Sequence, residues 1–140
     1  MTEEAIAMRA DLGLEVGLVS NDIEGQTRFY SETLGLPVEG NVEIPQVGRI
    51  TRFRAGGSVL RVLVPLTPAA GASREGGFAG TEGIRYIALK VSNLAELVQR
   101  VTDAGFNVVI PIRTLRPGVD VALVEDSDGN TIELMEEHAS

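Results

Sequence analysis

Residues 14–35 read LEVGLVSNDIEGQTRFYSETLG, and residues 84–105 read IRYIALKVSNLAELVQRVTDAG. Each stretch opens with an apolar-rich run, Leu14 to Ser20 or Ile84 to Ser92, the pattern of a short half-buried strand. Each then meets an Asn three residues ahead of a Glu, Asn21 with Glu24 and Asn93 with Glu96, a capping-box-like helix start. Ile23, Thr27, Tyr30 and Leu34 follow at helical spacing in the first, and Leu94, Leu97, Val98 and Val101 in the second. Gly35 and Gly105 supply the stops. The two Asn residues stand 72 positions apart and the two glycines 70 apart, an agreement that unrelated strand–helix units rarely reach.

Outward from each helix the pattern predicts three more strands. In the first half they are Val38 to Glu43, Arg49 to Ala55 and Ser58 to Pro65, the last two joined by the turn at Ala55-Gly56-Gly57-Ser58. In the second they are Asn107 to Arg113, Val119 to Glu125 and Thr131 to Glu136, with Asp126-Ser127-Asp128-Gly129-Asn130 as the matching turn. Leu66 to Gly83 is rich in Gly, Ala and Pro and reads as a connection. The expected organisation is an N-terminal arm (1–13), one α+β domain of two βαβββ modules (14–65 and 84–137, linker 66–83) and a tail (138–140).

The chain has 140 residues, 44% of them hydrophobic, enough for one core, which aliphatic side chains must fill because aromatics make up only 4%. No apolar run approaches the roughly 18 residues of a membrane helix. The acidic start Met1-Thr2-Glu3-Glu4 is unlike a secretory leader, so the expectation is a cytoplasmic protein. With no Cys there is no disulfide framework, thiol nucleophile or thiolate metal site. A net charge of −8 opposes nucleic-acid binding.

Strand–helix–three strands, twice, resembles the vicinal-oxygen-chelate superfamily of glyoxalase, bleomycin-resistance and extradiol-dioxygenase proteins. Phe29-Tyr30-Ser31-Glu32-Thr33-Leu34-Gly35-Leu36 is similar to that family's FY…LG segment, and Asp126 to Leu134 to its D-x-DGN-x-IEL ending. The resemblance implies a cupped mixed sheet. It also implies a divalent cation held by four side chains from the first and last strands of each module, a small-molecule ligand and a homodimer. The fold alone does not choose among the family's chemistries.

Matched by motif, the four positions fall on Glu15, Arg61, Tyr86 and Glu133. The register agrees with the repeat: Glu15 and Tyr86 are 71 apart, Arg61 and Glu133 72 apart. Glu133 keeps the family's residue type and Glu15 can ligate, but Arg61 has no lone pair to offer and a neutral Tyr86 phenol is a poor ligand. The expectation is therefore no bound metal and no cofactor. Instead we expect an Arg61–glutamate pair or triad in the cup, each attraction worth on the order of 4 kcal/mol before desolvation. The alternative is a structural ion pair in a dead site.

Strand alternation puts Gly17, Val19, Val59, Leu63, Ala88, Lys90 and Met135 on the same face as these four, making Lys90 and Met135 candidate ligand contacts. Val16, Leu18, Leu60, Val62, Ile87, Leu89, Ile132 and Leu134 should pack under the helices. Arg52 and Arg54 face the cup if Phe53 packs inward, where with Arg61 they could hold an anion; the alternative is that they guard an exposed strand. His138, the sole histidine, reads as a solvated tail residue.

Two functions compete. In one, a metal-independent enzyme uses Glu15 or Glu133 as base, Arg61 to stabilise an oxyanion and Tyr86 as donor, in isomerase, cyclase or lyase chemistry. In the other, the cup is a non-catalytic site for a small molecule or antibiotic. A metal enzyme completed by substrate oxygens ranks below both because of Arg61.

Overall fold

A computed structural model describes residues 8, 9, 11 and 13–138. Most of the expected N-terminal arm and the last two residues of the expected tail lie outside the described residues. The first module runs β1 (Glu15–Val19), α1 (Ile23–Thr27) continued by a π-helical segment (Arg28–Thr33), β2 (Val38–Ile44), β3 (Gly48–Ala55) and β4 (Ser58–Pro65). A 3-10 turn (Gly77–Ala79) interrupts the linker. The second module runs β5 (Tyr86–Lys90), α2 (Leu94–Asp103), β6 (Val108–Arg116), β7 (Val119–Glu125) and β8 (Thr131–Glu137).

The strands form two four-stranded mixed sheets, ordered β1-β4-β3-β2 and β5-β8-β7-β6. In each, the first strand runs parallel to the last and the other pairings are antiparallel. The α+β reading of two βαβββ modules stands, with most strand limits met within two residues. The sheets are not hydrogen-bonded to each other; β1 and β5 are edge strands.

The helix starts differ from the capping-box expectation. In α1 the cap is Asp22, whose carboxylate accepts from the Gly25 N–H, one residue after the expected Asn21. Asn21 is held elsewhere, exchanging two 2.9 Å hydrogen bonds with the Ala69 backbone of the linker. Asn93 precedes α2 without a side-chain bond, and the Leu94 N–H donates instead to Glu136 on β8. A helix start needs an acceptor, and a carboxylate from a distant strand meets that need as well as a local one.

After Thr27 the first helix widens. The Leu34 N–H reaches back five residues to the Phe29 carbonyl, and the Thr33 hydroxyl donates to the Arg28 carbonyl. The wider turn buries the consecutive aromatics Phe29 and Tyr30 together, which a regular helix would splay. Gly35 and Gly105 then end the helices at φ +84° and +85°, where a Cβ would be strained.

One core serves both modules. Phe29, Tyr30, Phe53, Leu60 and Val62 from the first pack in the same cluster as Leu94, Leu97, Val101, Val124, Ile132 and Leu134 from the second. Val16, Leu18, Ile87 and Leu89 lie partly buried against it, so the helix-facing set is as alternation predicts. Phe29 meets Tyr30 and Phe106 edge-on, with centroids 4.9 and 5.0 Å apart.

A polar joint crosses the same boundary. Asp126, read from sequence as a hairpin-turn residue, is buried. Its carboxylate accepts from the Tyr30 hydroxyl at 2.6 Å, the Gln26 amide at 3.0 Å and the Asn130 amide at 2.9 Å. It also accepts from the backbone N–H groups of Asp128 and Asn130, while the Ser127 N–H donates to the Gln26 carbonyl oxygen. Burial, with the carboxylate of Asp126 beside it, pushes the Tyr30 phenol well above its ordinary pKa.

His138 is pinned rather than merely solvated. Its N–H donates to the Gly118 carbonyl, and its ring contacts Asp120 at 2.9 Å. That bond to Asp120 raises the imidazole pKa. Among the described residues no helix is long and apolar enough to cross a membrane.

Candidate functional site

The face of each sheet opposite the shared core carries the residues singled out from sequence. Register places Gly17 opposite Arg61 in the first sheet and Ala88 opposite Glu133 in the second. Glu15 and Tyr86 open their strands opposite Val59 and Thr131. Arg61 thus occupies the place in module one that Glu133 holds in module two, as the internal spacing requires.

In module one these positions are paired with each other. Arg61 Nε lies 3.8 Å from Glu15 Oε1, and the two side chains are 44% and 33% exposed. A pair at that distance in contact with water is worth about 0–1 kcal/mol, well below the value expected for a buried one. The pair exists; the triad does not, since Glu133 makes no ion pair with Arg61 among the described residues.

In module two the equivalent positions are uncommitted. Glu133, half-buried on β8, has no side-chain hydrogen bond or ion pair among the described residues, nor has the Tyr86 hydroxyl. Both line a cavity of about 130 Å³ with Arg113, whose other walls are Phe78, Ile110, Leu115, Val121 and Leu123. Tyr86 also lines the cleft between the edge strands β1 and β5, about 480 Å³, with Glu15, Leu18, Arg74, Ile84 and Arg85. Tyr86 therefore borders both the Glu15 cleft and the Glu133 cavity.

The remaining candidates are mostly occupied elsewhere. Phe53 is fully buried under the helix, so Arg52 and Arg54 do lie on the open face. Arg54 is held by Glu39 in two bonds of 2.9 and 2.8 Å, which lower the Glu39 pKa and raise that of Arg54. Of the three arginines of the expected anion clamp, Arg54 is thus paired with Glu39 and Arg61 with Glu15. Arg52 sits opposite Arg61, and its buried Nε has no hydrogen-bond partner among the described residues. Lys90 pairs with Glu137 at 2.8 Å on the surface, and Met135 lies opposite Lys90 and Val121.

Sequence reasoning passed over Arg113, Phe78, Arg74 and Arg85. Arg113 sits on a strand whose register shifts between Ile110 and Arg113, so period-two alternation could not place its side chain. Phe78 did carry a signal, as the sole aromatic residue in a linker of small residues.

A metal centre at the four matched positions does not fit this chemistry. They offer two carboxylates, a phenol and a guanidinium that cannot coordinate, and one carboxylate is already opposite that guanidinium. No group of three or more His, Cys, Asp or Glu side chains among the described residues could hold a metal ion.

Comparison with known proteins gives the fold its relatives. The pattern of the Glyoxalase/Bleomycin resistance protein/Dioxygenase superfamily matches residues 14–134. A lactoylglutathione lyase of Escherichia coli O157:H7 is 32% identical over 119 residues, covering 83% of this chain and 85% of that one, as is one of Shigella flexneri. Among solved structures, a glyoxalase family protein from Bacillus cereus superimposes with a TM-score of 0.74 at 23% identity, over 89% of this chain and 93% of that one. The trypanothione-dependent glyoxalase I of Leishmania major superimposes with 0.70 at 22% identity, over 89% and 85%. These structural likenesses bear on the fold.

Proposed function

The chain belongs to the glyoxalase/bleomycin resistance protein/dioxygenase superfamily, and on that premise we propose that it acts on a small oxygenated metabolite by carboxylate acid–base chemistry that needs no bound metal, of isomerase, cyclase or lyase type. The observation that carries this reading is Glu133, whose carboxylate has no hydrogen bond or ion pair among the described residues, lining one mainly apolar-walled cavity together with Tyr86 and Arg113. Convergent polar groups in an apolar cavity are how small-molecule sites are built.

Glu133 takes a proton from the carbon next to a carbonyl, and the electron pair of that C–H bond moves onto the carbonyl oxygen. Arg113 stabilises the oxyanion and Tyr86 donates a hydrogen bond to it. Where the deprotonated carbon carries a hydroxyl, transfer of the hydroxyl proton to the enolate oxygen and return of the proton held by Glu133 to the former carbonyl carbon complete an isomerisation. Where the carbon next to the deprotonated one carries a leaving group, re-formation of the carbonyl expels it with the electron pair of its bond and completes a lyase reaction. Arg61, the oxyanion group expected from sequence, is paired with Glu15 on the other module, so Arg113 takes that role here. The reading places the protein in the cytoplasm as a homodimer serving small molecules, not nucleic acid or membrane. The net charge of −8 speaks against nucleic acid, the absence of Cys fits a reducing compartment, and the homodimer rests on the resemblance to the family.

The test is deuterium exchange next to the carbonyl of hydroxyacetone in heavy water, with S-lactoylglutathione, suggested by the E. coli relative's name, offered beside it. Exchange that survives chelator and falls at least about 100-fold in Glu133→Gln supports the reading. A rate lost on chelation and restored by nickel, zinc, manganese or iron(II) overturns it. The second reading, a non-catalytic binder of a small molecule or antibiotic, is favoured by the mainly apolar β1–β5 cleft, in which the Glu15 charge is offset by Arg61. It predicts tight binding without exchange.

A further inference from the structure

The linker was expected to be a flexible connection, and the structure ties it down. Asn21 grips the Ala69 backbone with two bonds, Arg74 donates to the Asp128 carbonyl at 3.1 Å, and Arg85 donates to the Thr81 carbonyl at 3.0 Å. Between these anchors the chain makes a turn that only glycines allow. Gly76 and Gly77 have φ of +77° and +75°, and a Cβ on Gly80 would fall 2.2 Å from the Glu75 carbonyl oxygen. The turn projects Phe78, half-buried among exposed neighbours, onto Tyr86 edge-on at 5.9 Å, and the same ring forms a wall of the Glu133 cavity.

We propose that Phe78 is the specificity-determining wall of the Glu133 cavity, confining what reaches that carboxylate to a short, unbranched hydroxycarbonyl group. The inference rests on the acid–base reading above and adds the substrate class to it. Size is the argument. An apolar cavity of about 150 Å³ takes a benzene ring and little more, and about 30 Å³ is the share of one water. The 130 Å³ beside Glu133 is of the size of a three-carbon hydroxycarbonyl, whereas its phenyl analogue would extend beyond it, past the half-exposed Tyr86 and Leu115. The other apolar walls, Ile110, Leu115, Val121 and Leu123, stand on β6 and β7 or the strand end beside them, whereas Phe78 stands on the linker. The wall most open to change is therefore the one the linker contributes.

The experiment compares hydroxyacetone with 2-hydroxyacetophenone on wild type, Phe78→Ala and Phe78→Trp, reading Kd by NMR titration and turnover by deuterium exchange. In Phe78→Ala the preference for the smaller compound should fall about tenfold or more, with hydroxyacetone affinity little changed. In Phe78→Trp hydroxyacetone itself should bind more weakly. An unchanged size preference in both variants overturns the inference, and so does failure of wild type to bind either compound. Binding without exchange would instead sink the acid–base reading, while the ratio of the two Kd values still judges Phe78.

Discussion

The two modules share a topology and divide the work. In module one the matched positions Glu15 and Arg61 answer each other, and their charges cancel at the surface. In module two the same strand positions, Tyr86 and Glu133, line a cavity and make no side-chain hydrogen bond or ion pair among the described residues. The helices differ in the same spirit. The first widens into a π-helical turn and sends Tyr30 and Gln26 across to Asp126, whereas α2 stays regular, takes its cap from Glu136 of its own module and reaches across only with Arg100, at 3.5 Å from the Thr33 carbonyl, among the described residues. A repeat conserves what the backbone needs and leaves open-face side chains free to diverge. Here the two modules share the structural joint at Asp126, and module two keeps the open chemistry.

Exchanging carboxylates is the sharpest way to break that comparison. Glu133→Gln should lower deuterium exchange into hydroxyacetone by about 10² to 10⁴, the usual worth of a general base, while Glu15→Gln should change it by less than about tenfold. Equal losses would mean that the two modules act as one carboxylate pair. Next in size is the joint. Asp126→Ala strands the buried Tyr30 and Gln26 donors and should cost about 3 kcal/mol in urea unfolding, against under about 0.5 kcal/mol for an exposed control such as Glu24→Ala. A loss below 1 kcal/mol would show the core alone holding the modules together.

Tyr30→Phe is milder, at about 1–2 kcal/mol. It carries a pH signature. Because the folded-state phenol is raised above its ordinary value of 10.0, its contribution is complete below about pH 10 and is lost as pH rises toward the folded pKa. The variant should therefore lose less stability than wild type between pH 10 and 11. Identical alkaline slopes would contradict the burial of this hydroxyl.

The smallest effect is at the end of β8. The His138 pKa is raised above 6.5 by Asp120, so its contribution is full below pH 6.5 and fades as pH rises through the folded pKa. Asp120, lowered from 3.8 by the same bond, adds stability above pH 3.8 that is lost as pH falls through its folded pKa. An NMR titration placing His138 at or below 6.5 would remove the pair.

The fold was legible because it rests on periodicity. Apolar residues at strand and helix spacing, repeated some 71 residues apart, fix the elements, and Leu60, Val62, Ile132 and Leu134 lie where alternation puts them. Legible too were the equivalence of Arg61 with Glu133 and the inability of a guanidinium to coordinate, since both follow from residue identity. The sequence could not assign the partners. Asp22 rather than Asn21 caps the first helix, Glu136 caps the second, and Glu39 claims Arg54. Each is a choice among near-equal polar groups that only three-dimensional distance decides. The same holds for the site: Arg113, after a register shift in β6, lines the same cavity as Glu133, and a glycine-built turn brings Phe78 from the linker to the cavity wall. Local pattern sets which way a regular strand faces. Where register slips or the chain leaves the sheet, packing alone determines which side chains meet.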